Sequence, residues 1–406
     1  MLSQTTRTAS VPARRCLSTL LSLNEEFPGV PSTSPASKSA SKPEITTLPS
    51  GLTIITEANA YTSTVSMTYP SGSASEQAGE SGAALAAKHM AFKSSATSSS
   101  ARILYDLENA GASPFSSVSR FSSTNGYTCA PEQAAGLLEM LSTPSAYELW
   151  DMRDARAYAA LDKAEMMQTP ETALSDIIYA AAYGEKTAAG KSLYQTVSNE
   201  GIISFMGREL VGGTLVATGV SDHKAFVAAA SSAFASSTGG TPSAPSAFTS
   251  GESRLPAATP YSHVAVAFAA ADSNAVNAVV KALLNAGSGS SVAGFTAEGL
   301  VGAYGSSLAG DAAALSEDIM KSISSASSGN LDSAKAVAKG DVVFGMEGSS
   351  AALASGLAAN CGMGPGDIAA AIDKVSVADV KKVLSGKPAV AAVGDLSMVP
   401  YSRDLV

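Results

Sequence analysis

The stretch GAALAAKHMAFK, residues 82–93, says most about the fold of this chain. It is rich in alanine, the strongest helix former, and predicts a helix over about 80–92. The polar segment PSGSASEQAGES (70–81) precedes it, and before that come the strand-like segments GLTIIT (51–56) and STVSMTY (63–69). Two strands, a polar loop and a small-residue helix predict a sheet on which helices pack closely.

The same helix carries a fragment of a zinc-binding pattern. In H-x-x-E-H, two histidines four residues apart bind zinc and the glutamate activates water. If His89 is the second histidine, the first position is Leu85 and the glutamate position is Lys88. Leucine cannot ligate zinc, and an ammonium group repels the cation and is no base while protonated. The pattern therefore predicts that the helix is present but that the zinc chemistry is absent. We expect no catalytic residue, no metal and no cofactor.

Bulk composition limits the function classes. With 406 residues the chain is too long for one ordinary core, so two domains are expected. A net charge of −9 argues against binding nucleic acid or an anionic membrane. The three cysteines, Cys16, Cys129 and Cys361, form neither a disulfide framework nor a metal cluster. No apolar run approaches the roughly 18–20 residues that span a bilayer, so at a membrane the protein would be peripheral.

The first 17 residues resemble a mitochondrial transit peptide. Residues 1–17 contain Arg7, Arg14 and Arg15 and several Ser and Thr, and no acid occurs before Glu25. Arg, any residue, a large apolar residue and then Ser is a common cleavage pattern, which places cleavage between Leu17 and Ser18. Residues 18–43 are rich in Pro and Ser and predict a disordered linker.

The rest of the chain divides into two halves. The Gly/Ser/Pro-rich segment 236–253 predicts an interdomain linker between domains at 44–235 and 254–406. LVATGVSD (215–222) and VAAVGDLS (390–397) end the two halves alike, which indicates a long-period repeat. Further strands are expected within 115–129 and at 214–220, 263–269 and 389–393. Further helices are expected at 101–109, within 131–182 with a break near Pro170, and at 225–234, 273–286, 309–325, 330–340 and 365–384.

The order of these features resembles the pitrilysin/insulinase superfamily, which includes the mitochondrial processing peptidases. LPSGLTIITEA (48–58) is similar to its opening strand, and GSASEQAGESGAALAAKHMAFKSS (72–95) to its glycine loop and zinc helix. LDKAEMMQTPETALSDIIYAAAYGEKTAAGKSLYQ (161–195) resembles the core subunits of mitochondrial ubiquinol–cytochrome c reductase, or complex III. The resemblance covers residues 44–406 and implies an α+β fold in which two homologous sheet-plus-helices domains form a clamshell.

In active family members an acid roughly 75 residues beyond the helix completes the zinc site. Spacing favours Glu165, 76 residues after His89, whereas local landmarks leave Asp162 open. One histidine and one carboxylate do not make a zinc site, so Leu85, Lys88, His89 and Glu165 are interpreted as vestigial positions.

The family resemblance also implies a trimmed second domain. Between the helix at 273–286 and GLVGAY (299–304), relatives carry a glycine-rich loop, a helix and a strand. Here only NAGSGSSVAGFTAE (285–298) remains.

The resemblance implies a non-catalytic subunit of the cytochrome bc1 complex on the matrix side of the mitochondrial inner membrane. Its partners would be core protein 1, or a processing-peptidase β-type subunit, and other complex III subunits. Those others would carry the electrons, because this chain offers no haem or iron–sulfur ligand pattern. The alternative is the non-catalytic α subunit of the processing peptidase, which binds presequences through a glycine-rich loop. An active zinc peptidase would need ligands that the chain lacks.

Overall fold

The computed structural model describes residues 42–143, 145–210, 212–235, 247–287 and 291–405. The predicted transit peptide (1–17), its cleavage site at Leu17 and Ser18, and residues 18–41 of the predicted linker lie outside the described residues. Residues 236–246 of the predicted interdomain linker lie outside them as well. The end of that segment is structured, since residues 252 and 253 begin a strand.

The first half is built on a six-stranded mixed sheet. Its order is β1-β2-β6-β3-β5-β4. β2 and β6 run parallel, and every other neighbouring pair is antiparallel. The strands are β1 Glu44–Thr47, β2 Thr53–Glu57, β3 Ser63–Tyr69, β4 Ser113–Val118, β5 Ser123–Cys129 and β6 Thr214–Thr218.

Within the residues that the structure describes, seven α-helices accompany this sheet. The expected break at Pro170 is present: α4 ends one residue before Thr169, and Pro170 begins α5, where its missing N–H costs nothing. The helices are α1 Ala83–Met90, α2 Ser100–Asn109, α3 Leu138–Ser142, α4 Leu149–Gln168, α5 Pro170–Tyr183, α6 Asn199–Glu209 and α7 His223–Ala233.

The second half has a five-stranded sheet in the order β7-β11-β8-β10-β9. Its strands are β7 Glu252–Pro256, β8 Tyr261–Ala269, β9 Val292–Ala297, β10 Leu300–Leu308 and β11 Ala389–Gly394. Its helices are α8 Asn274–Gly287, α9 Ala312–Ala326, α10 Leu331–Glu347, α11 Ser350–Ala359, α12 Pro365–Asp373, α13 Val377–Leu384 and α14 Ser402–Leu405.

The two sheets repeat one topology, as the sequence repeat predicted. In each, the first long strand pairs in parallel with the last, and the next strand and a hairpin follow in antiparallel order. The second half is trimmed, since in the described part α8 alone stands between β8 and β9, where the first half has α1 and α2. The segment expected to be only a remnant still forms β9, so the loss is a helix and not the strand.

One helix from each half packs against the sheet of the other half. α5 packs on β7, β8 and β11, and α11 packs on β3 and β6. On β8, Val264, Val266 and Phe268 join the core beneath α8, whereas the small side chains of Ala265 and Ala267 face α5. Small residues on that face let α5 approach the sheet closely, and the exchange ties the two halves together.

Candidate functional site

The loop before α1 positions the helix that carries His89. Gly82 has a φ of 88°, and a Cβ built there would lie 2.2 Å from the carbonyl oxygen of Gln195. Glu76 accepts the backbone N–H groups of Gly82 (3.0 Å) and Ala84 (2.9 Å), which would otherwise be unpaired at the helix start. Burial raises the pKa of Glu76 to about 7, although these two hydrogen bonds oppose the shift.

A second carboxylate ties the same loop to α6. Glu80 accepts hydrogen bonds from Nη1 of Arg208 (2.8 Å), Nη2 of Arg208 (2.7 Å) and Oγ of Ser204 (2.6 Å). The paired guanidinium is the main reason why the pKa of Glu80 falls to about 2. With the loop held, the small side chains of α1 pack against α4 and α6.

His89 and Lys88 converge on one carboxylate of α4. Nε2 of His89 lies 2.9 Å from Oδ2 of Asp162, and Nζ of Lys88 lies 3.0 Å from the same oxygen. Burial works against ionisation of Asp162, but hydrogen bonds from Lys88 and His89 outweigh it, and the pKa of Asp162 is lowered. Leu85, one turn earlier on α1, is buried at 2% exposure. We call Lys88, His89 and Asp162 the α1–α4 cluster.

The structure decides which acid meets the histidine. Spacing favours Glu165, but Glu165 is exposed and its carboxylate makes no hydrogen bond or ion pair with the described residues. Asp162, the alternative, faces α1 one turn after Tyr158. The Tyr158 ring stacks on His89 at a centroid distance of 5.6 Å.

This geometry does not fit a zinc ion. Leu85 offers no lone pair, and the Lys88 ammonium group lies on the carboxylate oxygen that a metal would need. Nowhere in the described residues do three His, Cys, Asp or Glu side chains come together as a metal site. The α1–α4 cluster can hold two helices together electrostatically.

A cavity of about 470 Å³ opens between α5 and the second sheet. Arg120, from the turn between β4 and β5, forms part of the cavity wall. Its guanidinium group forms an ion pair with Asp176 of α5, and its Cζ lies 4.8 Å from the centroid of the Tyr179 ring. Sequence reasoning missed this pair, because its residues are 56 positions apart and lie in no recognisable motif. Aromatic and aliphatic side chains supply most of the remaining wall, among them Leu174, Ile178, Tyr194, Phe295 and Tyr304.

The part of the chain that carries the α1–α4 cluster is similar to a known family. Residues 53–197 match the insulinase family (peptidase family M16). That segment runs from β2 through α1 to the loop after α5 and contains the whole α1–α4 cluster. The resemblance to the pitrilysin/insulinase superfamily is confirmed there.

The fold likeness extends further than the family match. A similar solved chain comes from a structure described as complex III2 from Candida albicans with Inz-5 bound. It is 16% identical, with a TM-score of 0.73, and the match covers 89% of this chain and 98% of that one. At this identity the likeness establishes the fold. No curated protein matches the chain.

Proposed function

We propose that this chain is core protein 2, a non-catalytic structural and assembly subunit of mitochondrial ubiquinol–cytochrome c reductase. The observation that carries the proposal is the nearly full-length fold match to a chain of a complex III structure. The α1 helix supports the non-catalytic part, because Leu85 and Lys88 stand where a zinc ligand and the base would be needed. In this role the two halves are domains at 44–235 and 254–406, joined by the linker at 236–253 and arranged as a clamshell.

The proposed partners are core protein 1, or a processing-peptidase β-type subunit, and other complex III subunits. The proposed location is the matrix side of the inner membrane. In the part of the chain that the structure describes, no helix is long and apolar enough to cross a membrane. Protein contacts would therefore hold the described part there.

The mature chain should begin at Ser18. Arg15 and Leu17 give the only cleavage-like pattern in the acid-free N-terminal arm. N-terminal sequencing of the protein from isolated mitochondria checks this, and an intact Met1 would contradict the proposed import.

The processing-peptidase α subunit is the competing assignment, and the second half argues against it. α8 ends at Gly287 and β9 starts at Val292, so four residues connect them. A connection of that length leaves no room for a long glycine-rich presequence loop.

Affinity purification separates the two assignments. A tagged full-length chain expressed in its own mitochondria should co-purify with haem proteins that show the absorption bands of cytochromes b and c1. Purification in a haem-free soluble heterodimer with active processing-peptidase activity would instead assign the chain to the processing peptidase.

A further inference from the structure

Two equivalent hairpin turns, one from each half, meet in this structure. The first joins β4 to β5 at residues 119–122, and the second joins β9 to β10 at Glu298 and Gly299. They are about 180 residues apart in sequence and meet side by side on α5.

Glu298 binds the opposing turn with both carboxylate oxygens. Oε2 accepts a hydrogen bond from Oγ of Ser119 (2.6 Å) and one from the backbone N–H of Phe121 (3.0 Å). Oε1 accepts one from Oγ of Ser122 (2.7 Å). Hydrogen bonds to an ionised carboxylate are stronger than those between neutral groups, so one side chain fixes three donors of the turn.

The backbone of the second turn rests on tyrosines of α5. The Tyr179 hydroxyl donates to the carbonyl oxygen of Glu298 at 3.1 Å, and the Tyr183 hydroxyl lies 3.5 Å from that of Gly299. The Phe121 ring meets the Tyr183 ring edge-on at 6.2 Å. Each turn is therefore held to α5 and to the other turn.

The first turn and the end of β9, next to the second turn, form one wall of the 470 Å³ cavity. Ser119 and Arg120 line it from the first turn, and Thr296 and Ala297 line it beside the second. Glu298 is itself exposed, so water can replace its hydrogen bonds and the contact can open reversibly.

We propose that Glu298 is a clasp that joins the two hairpin turns and controls opening of this wall of the cavity. With its three hydrogen bonds made, the turns stay closed over Tyr179 and Tyr183. With them broken, the turns separate and this aromatic face of α5 becomes accessible. The clasp depends only on contacts within the chain, so it stands or falls separately from the proposed assembly.

Hydrogen exchange measured by mass spectrometry tests the clasp in the full-length chain, in the assembly from which it is isolated. In Glu298→Ala, amides of residues 119–122 and 297–300 should exchange on the order of tenfold faster, as the loss of a charge-assisted hydrogen bond predicts. Glu347→Ala, a change at an exposed glutamate ending α10, is the matched control and should leave both turns unchanged. Unchanged exchange in Glu298→Ala, or equal acceleration in the control, would overturn the proposal.

A charge swap tests the same contact in a second way. Ser122→Asp places a second carboxylate against Glu298 and should open the turns as Glu298→Ala does. Combining Ser122→Asp with Glu298→Lys restores opposite charges and should return exchange in both turns close to the wild-type rate. Failure of this rescue in a variant with a wild-type circular dichroism spectrum would also overturn the clasp.

Discussion

At the residue scale, the main feature of the site is that His89 contacts Asp162 and not Glu165. These two acids are three positions apart, which separates them by about 60° around a helix axis. Which of them faces α1 depends on the rotation of α4, and that is set by its buried residues, such as Ala155 and Ala159. Sequence spacing alone could not fix that rotation, although it did identify both candidates.

Removing the charge of Asp162 should destabilise the fold modestly. Asp162→Asn leaves Lys88 without its ion pair and should lower the free energy of unfolding by about 1 kcal/mol at neutral pH, since the pair is partly exposed. Because the folded-state pKa of Asp162 is lowered, its stabilisation is present above the ordinary carboxyl range and is lost as the pH falls through the folded value.

Denaturant unfolding at several pH values measures this difference. The wild type and Asp162→Asn should differ most near neutral pH and converge in acid. Glu165→Gln, on the same helix, is the control and should match the wild type throughout. Equal destabilisation by both changes would contradict the assignment of Asp162 to the α1–α4 cluster.

Zinc binding should require more than one substitution. Neither Leu85→His nor Lys88→Glu alone completes a ligand set and a base, so each single variant should contain no stoichiometric zinc and have no peptidase activity. Restored activity should need at least both changes together. Metal analysis of the purified wild type measures whether zinc is bound before any substitution. About one zinc per chain, lost in His89→Ala, would refute the interpretation of these positions as vestigial.

At the element scale, local signals predicted the regular core of the fold. The α1 helix, the α2 helix and the break at Pro170 follow from alanine content, a glycine stop and proline geometry. The short polar strands β1 and β7 and the helices α6 and α11 were missed. β1 and β7 are only four and five residues long, and the Ala-, Ser- and Gly-rich α11 carries little periodicity. Pairing with other strands, or packing on the other half's sheet, decides the structure of such segments.

The start of α1 should be intolerant of any side chain at Gly82. Gly82→Ala places a Cβ against the Gln195 carbonyl in addition to the strain of a φ of 88°, and should cost about 2–4 kcal/mol. Gly79→Ala is a matched control, since Gly79 has a φ of 91° but no atom within 4 Å of the added Cβ. Thermal unfolding should show Gly82→Ala clearly less stable than Gly79→Ala, and equal losses would argue against the close approach.

At the scale of the whole molecule, the sequence predicted the repeat of the two halves. It did not predict that one helix of each half packs on the sheet of the other half. The similar ends of the two halves predicted two related sheets, and the sheet orders agree. That α5 packs on the second sheet and α11 on the first depends on contacts between residues about 70 or more positions apart. In the described residues one helix, α8, lies between β8 and β9, where the first half has α1 and α2 between the equivalent strands.

The most direct test of the account is native gel electrophoresis of mitochondrial extract, probed with an antibody to this chain. We expect the signal to co-migrate with the complex III band that contains cytochromes b and c1. A signal at about the monomer mass alone, with none in that band, would contradict it.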